Sequence, residues 1–189
     1  MSDPATDIDA ARERAILASL AGFPFLFVFG WVWIAGSLLS YALPPKLAPW
    51  SYVMLGMAAT PVAMALERKL GYVKAGSPDP LLPLTLQVLF VQIVAFPAIL
   101  LVWSTAPSYV PVAFAAIVGA HFLPFNWIYR TSIYGIVGTI VAVGPFALAV
   151  LFGAKAMHYT GFLVGPVLLV GAFAVRAHAR ATWLASRGE

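Results

Sequence analysis

The chain has 189 residues, of which 62% are hydrophobic and 10% charged, with mean hydropathy +0.92 and a formal net charge of +4. A soluble domain carries about 25% charged residues, so this composition excludes an ordinary soluble fold and makes lipid the expected solvent. The lack of cysteine excludes disulfides and thiolate chemistry, and no nucleic-acid partner is expected.

Residues 1–18 are polar, with Asp3, Asp7, Asp9, Arg12, Glu13 and Arg14, and Asp7 is placed to cap a short helix. The apolar stretch that follows exceeds the about 7–15 residues of a signal-peptide core, and no small-x-small site ends it. It is therefore read as a first span over 20–43. Phe23, Phe25, Phe27, Phe29, Trp31 and Trp33 recur at every second position, which alone would argue for a strand. The intervening residues are apolar as well, and the run is long enough for a spanning helix of about 20 residues. On a helix those rings point all round, toward lipid.

Pro44, Pro45 and Pro49 mark a turn, and Trp50 and Tyr52 suit an interface. The second span, 50–67, contains Thr60-Pro61 and ends in Glu67-Arg68-Lys69. Lys74 and the turn-forming Gly76-Ser77-Pro78-Asp79-Pro80 fill the longest internal loop, 68–80. The third span, 82–104, carries Gln87 and Gln92 ahead of Pro97.

The fourth span, 109–130, is the most informative. Gly119-Ala120-His121-Phe122-Leu123-Pro124 sets an imidazole near mid-membrane beside a proline, and Asn126 and Arg130 share a face of the lower half. Pro124 lacks an N–H and clashes with the carbonyl near Ala120, so a kink is expected beside His121. An ionisable group at that depth is costly and normally faces protein or water. It either glues helices together or lines a ligand, proton or ion path. A hydrogen bond from Gln92 to His121 is the specific pairing expected, with packing-only roles the alternative. The fifth span, 133–153, carries Gly135, Gly138, Gly144 and Pro145, and the sixth, 158–176, carries Gly161-x-x-x-Gly165 before Pro166. Small residues at such spacing let helices approach closely. The tail, 177–189, is basic, and Trp183 and Leu184 suggest a helix end lying at the interface.

Alternating the loops places nine of the 11 basic residues on one side and only Lys46 and Lys155 on the other. By the positive-inside rule both termini are expected in the cytoplasm. The predicted fold is thus an all-α polytopic membrane protein of six spans over 19–176, with a polar N-terminal segment and a basic tail. No carboxylate falls at mid-membrane, which weakens proton-coupled export and any metal or acid–base site; no cofactor, metal or catalytic residue is assigned. Each span contains a proline (Pro24, Pro61, Pro97, Pro124, Pro145, Pro166), and Pro61-Val-Ala-Met-Ala-Leu is similar to Pro145-Phe-Ala-Leu-Ala-Val. Those segments would correspond in two inverted halves of three spans, and chance similarity is the alternative.

Gly22-Phe23-Pro24-Phe25, residues 119–125 and Trp127-x-Tyr129 together resemble a family of small bacterial multi-pass membrane proteins of unknown function. The resemblance covers the chain from about residue 20 and implies a bacterial inner membrane and six spans. It carries over no activity or catalytic residue.

Three readings follow. The first is a small-solute transporter or channel, with a path lined by Thr60, Gln87, Gln92, His121, Asn126 and Arg130 and hinges at Pro61, Pro124 and Pro145. The second is a structural or accessory subunit that packs against itself or another protein through Gly119, Gly161 and Gly165. The third is a lipid-active enzyme using His121 as base and Arg130 as phosphate grip, for which His121 lies too deep.

Overall fold

The computed structural model describes residues 4–74 and 80–188. The Gly76-Ser77-Pro78-Asp79 turn, Asp3 and Glu189 therefore lie outside the described residues. Every regular element among the described residues is helical: α1 (Pro4–Ser19), α2 (Phe23–Ala42), α3 (Trp50–Leu70), α4 (Leu82–Val94), α5 (Phe96–Thr105), α6 (Val110–His121), α7 (Leu123–Ile128), α8 (Ile133–Phe152) and α9 (Ala156–Arg187).

The prolines explain much of this segmentation, in two different ways. Pro97 and Pro124 each stand in the first turn of a new helix, immediately after a break at Ala95 or Phe122. At the first turn the missing N–H costs nothing and the fixed φ suits the helix. Pro24 likewise stands in the first turn of a helix, α2, and does not interrupt it. Pro61, Pro145 and Pro166 lie inside helices that continue past them. Of the three expected hinges, only Pro124 coincides with a broken helix.

α1 and α2 are separated by a turn that residue type alone would not predict. Leu20 (φ 53), Ala21 (φ 50) and Gly22 (φ 79) are all left-handed, and two of them carry a Cβ. Such residues cost roughly 1–2 kcal/mol each unless glycine, so neighbours must hold them. The basic tail continues α9 without interruption to Arg187.

The core forms where α2, α6, α8 and α9 meet. α2 packs along α9, α6 along α8, and α8 folds back on α9 after the Gly153–Lys155 turn. Trp33 is buried between the rings of Tyr52 (5.2 Å) and Phe114 (5.6 Å). Val141, Val164, Leu168 and Ala172 are fully covered. Two contacts draw the backbones together. A Cβ on Gly165 would lie 2.7 Å from Gly30 O, and one on Gly161 would run into Trp33 O and the Ser37 hydroxyl. Across the bundle, a Cβ on Gly119 would lie 2.7 Å from Ala142 N, and one on Gly138 2.6 Å from Gly119 O. Lipid tails are as apolar as leucine, so close packing of this kind holds membrane helices together. The glycines expected to recruit a partner are engaged inside the chain.

α3 leans mainly on α2, and α4 and α5 rest on α6. Their apolar side chains, among them Met57, Val62, Phe90 and Leu101, are largely exposed. Four helical stretches among the described residues are long and apolar enough to cross a membrane: Asp7–Ala42, Leu82–Thr105, Pro107–Ile128 and Ile133–Arg187. The last joins α8 and α9, which fold back on each other. α3, expected as the second span, is not among the four; it is diluted by Ser51, Tyr52, Thr60 and the Glu67-Arg68-Lys69 terminus. An all-helical membrane-embedded fold follows from these stretches.

Candidate functional site

At the α6–α7 break the Phe122 N–H donates to Gly119 O (3.2 Å) instead of to Val118 O, its partner in an unbroken helix. Val118 O is taken by the His121 ring, whose Nδ1 lies 2.9 Å away. A carbonyl can only accept, so Nδ1 carries the proton. The imidazole therefore closes the end of its own helix. Its ring is half-buried against Phe122 (4.8 Å) and Phe125 (5.7 Å, edge-on).

The other expected path residues do not gather around it. Asn126 Oδ1 accepts the Gly135 N–H at 2.7 Å, in the first turn of α8. Asn126 is thus a remote cap for a helix whose first N–H groups have no intrahelical acceptor, while the Ile133 N–H goes to the Thr131 hydroxyl (3.3 Å). A Cβ on Gly135 would strike the Asn126 amide. Thr60 donates to Gly56 O within α3. Gln87 is exposed in a groove of about 390 Å³ with Leu86, Phe90, Val91 and Val94. Gln92 is half-buried, and among the described residues no hydrogen bond joins it to His121. A second groove, of about 570 Å³, lies between α5, α6 and α8 and is lined by Val102, Ala113, Ala142 and Phe146 among others.

A column of rings runs from the break toward the α1–α2 turn. Phe122, Phe125, Tyr129 and Tyr134 lie with centroids 5.4–5.7 Å apart. Tyr134, buried, donates to Ala21 O at 2.7 Å and so holds the left-handed turn. The Ser19 hydroxyl donates to Ala15 O (2.7 Å) and sits 3.2 Å from the Tyr129 hydroxyl. His178 of α9 bonds Tyr129 O through Nε2 (2.9 Å). Arg130, itself left-handed (φ 52), is exposed and lies 3.6 Å from Asp9, which also meets Arg12 at 3.4 Å. Exposed pairs of this kind contribute little. The firmer contact is the Arg12 guanidinium over the Trp127 ring, 3.6 Å from its centroid. These contacts make α1 a strap across the α7–α8 junction.

A separate polar cluster sits at the far end of α2, and nothing in the local sequence points to it. The Tyr52 hydroxyl donates to Met157 O (2.7 Å) and lies 3.0 Å from the Ser37 hydroxyl. Ser40 donates to Ser37 O (2.6 Å) and accepts from His158 Nδ1 (2.7 Å), with Tyr41 stacked on the His158 ring at 4.4 Å. The partners are up to 118 residues apart in the chain. Ser40 is buried, and its bond to His158 joins α2 to α9.

Residues 8–178 match a family of unknown function, DUF7010. No curated protein and no solved structure matches the chain.

Proposed function

We propose that this chain, which belongs to that family, is a membrane-embedded subunit that binds a partner within the bilayer and does not itself conduct a solute. The observation that carries the reading is the engagement of His121, with Nδ1 on Val118 O and the ring against Phe122 and Phe125. Thr60 and Asn126 are likewise committed to the backbone of their own neighbourhood. An ionisable ring in the hydrocarbon usually lines a path; here the same residue meets the need of a broken helix.

Partner binding is favoured by α3 and α4–α5, which touch the bundle on one side and carry exposed Met54, Met57, Leu86 and Phe90. In this reading α2, α3, α4–α5, α6–α7, α8 and α9 each cross once. Both termini lie in the cytoplasm, because that arrangement puts nine of the 11 basic residues inside. α2 packs against α3 and α9 as α6 packs against α8 and α4–α5, the pairing two inverted halves would produce; the α8–α9 contact has no equal between α3 and α4.

Photo-crosslinkers at Met57 and Phe90 in native membranes test the proposal, with lipid-facing Val170 as control. A discrete adduct from either arm and none from Val170 is expected, together with unchanged solute permeability when the protein is reconstituted in liposomes. A solute flux through wild-type protein that disappears in a folded His121→Ala variant overturns it.

A further inference from the structure

α9 is longer than a bilayer requires, and its excess is basic. Its 32 residues span about 48 Å at 1.5 Å per residue, against a hydrocarbon core of about 30 Å. Counted from Ala156, a core of that thickness ends near Arg176. Val170 and Phe173, about two turns and one turn earlier, are 72% and 56% exposed, as lipid-facing side chains should be. Arg176 then stands where hydrocarbon gives way to head groups, and Arg180 lies about 6 Å beyond it, still within the head-group layer.

At 100° per residue, Arg176, Arg180 and Trp183 fall along one stripe of α9. Both arginines are exposed, and among the described residues neither has a carboxylate within ion-pair distance. Arg176 is steadied by the Phe23 ring, 5.0 Å from its guanidinium. Trp183 is stacked on Tyr72 of the α3–α4 connection, with centroids 5.2 Å apart and planes within 6°. Stacking of this kind holds the extension of α9 upright beside the bundle. Two guanidiniums one helical turn apart, flanked by interfacial aromatics, present planar donors at the depth where lipid phosphates lie.

We infer that Arg176 and Arg180 form a binding site for the phosphate of an anionic phospholipid in the adjoining leaflet, with the Trp183–Tyr72 pair as its wall. The occupant is a lipid because the site opens from the lipid-facing side of α9 at the membrane boundary, and anionic because its two like charges have no acidic partner among the described residues. The site is independent of whether the chain binds a protein partner.

Spin-labelled phosphatidylglycerol and phosphatidylcholine, in membranes containing the full chain, report the relative association of each lipid through their motionally restricted fraction. Wild-type protein is expected to prefer phosphatidylglycerol, and 0.5 M salt should largely remove that preference, since the screening length shrinks from about 10 Å at 0.1 M toward about 3 Å at 1 M. Each arginine should contribute roughly fivefold, so Arg176→Gln with Arg180→Gln should cost about 25-fold, while the paired Lys substitutions retain most of it. Arg68→Gln with Lys69→Gln, at the end of α3, should leave the preference in place. Equal loss in that control, or a preference that survives either the Gln pair or high salt, overturns the site. The salt measurement needs no variant and stands even if the Gln pair fails to fold.

Discussion

Replacing His121 separates a cap from a conduit. In His121→Ala the Val118 carbonyl loses its side-chain partner and cannot regain the Phe122 N–H, which is directed to Gly119 O. Leaving one buried polar group unsatisfied costs about 1–3 kcal/mol. Interhelical hydrogen bonds in membranes average about 0.6 kcal/mol, because the unfolded state in lipid also finds partners. Loss of ring contacts with Phe122 and Phe125 adds to this, so a destabilisation of about 1–2 kcal/mol is expected.

The informative variants are the amides. In His121→Asn the amide nitrogen occupies nearly the position of Nδ1 and can donate to Val118 O; in His121→Gln it stands nearer the position of Nε2. Capping therefore predicts that Asn restores most of the loss and Gln restores little. A proton or ligand path predicts that both amides fail alike, because neither titrates near neutral pH. Reversible unfolding in mixed micelles, followed by tryptophan emission as denaturing detergent is increased, gives the stabilities. Asn no better than Ala, or Ala as stable as wild type, would refute the capping role.

Gly161→Val drives a side chain into Trp33 O and the Ser37 hydroxyl; it should cost about 3 kcal/mol and lower the unfolding midpoint without altering oligomer size on gel filtration. Tyr134→Phe removes the donor to Ala21 O and should destabilise by about 1–3 kcal/mol, with faster proteolysis of α1 as the local readout. Ala21→Gly relieves a left-handed residue and should stabilise by about 1 kcal/mol. Gly22→Ala collides with the Tyr134 hydroxyl and should destabilise, and the opposite signs at adjacent positions can be read from the same melting experiment.

The parts of this fold that are legible in the sequence are those set by one residue's own chemistry. Pro124 announces a broken helix because a missing N–H acts wherever the residue stands, and the break lies beside His121 as that chemistry requires. The spacing of Gly161 and Gly165 is the small-residue pattern that lets helices approach closely, and both sit tight against α2. What spacing cannot carry is the identity of the neighbour: the same two glycines would serve a second copy equally well, and only the fold assigns them to Gly30, Trp33 and Ser37 of α2. The Tyr52–Ser37–Met157 and Ser40–His158 links are invisible for that reason, since serines on a greasy helix reveal nothing until the partner helix arrives.

The same distinction bears on what a histidine deep in a membrane means. An unpaired imidazole in hydrocarbon is costly, so His121 needs a partner. A cost can be relieved by water, by another helix, or by the helix's own end, and composition does not choose among them. Here the proline that makes the lower half-helix start afresh also loosens the turn above, and the nearest free acceptor is three residues back at Val118 O. Imidazole and proline thus act as one local unit: the break creates an unpaired carbonyl and the ring satisfies it. Asn126 repeats the arrangement one helix later, where the turn at Arg130 exposes the first N–H groups of α8 and a side chain nine residues upstream covers one of them. A stretch whose polar residues looked like the lining of a path is, in its contacts, a pair of helix ends being closed.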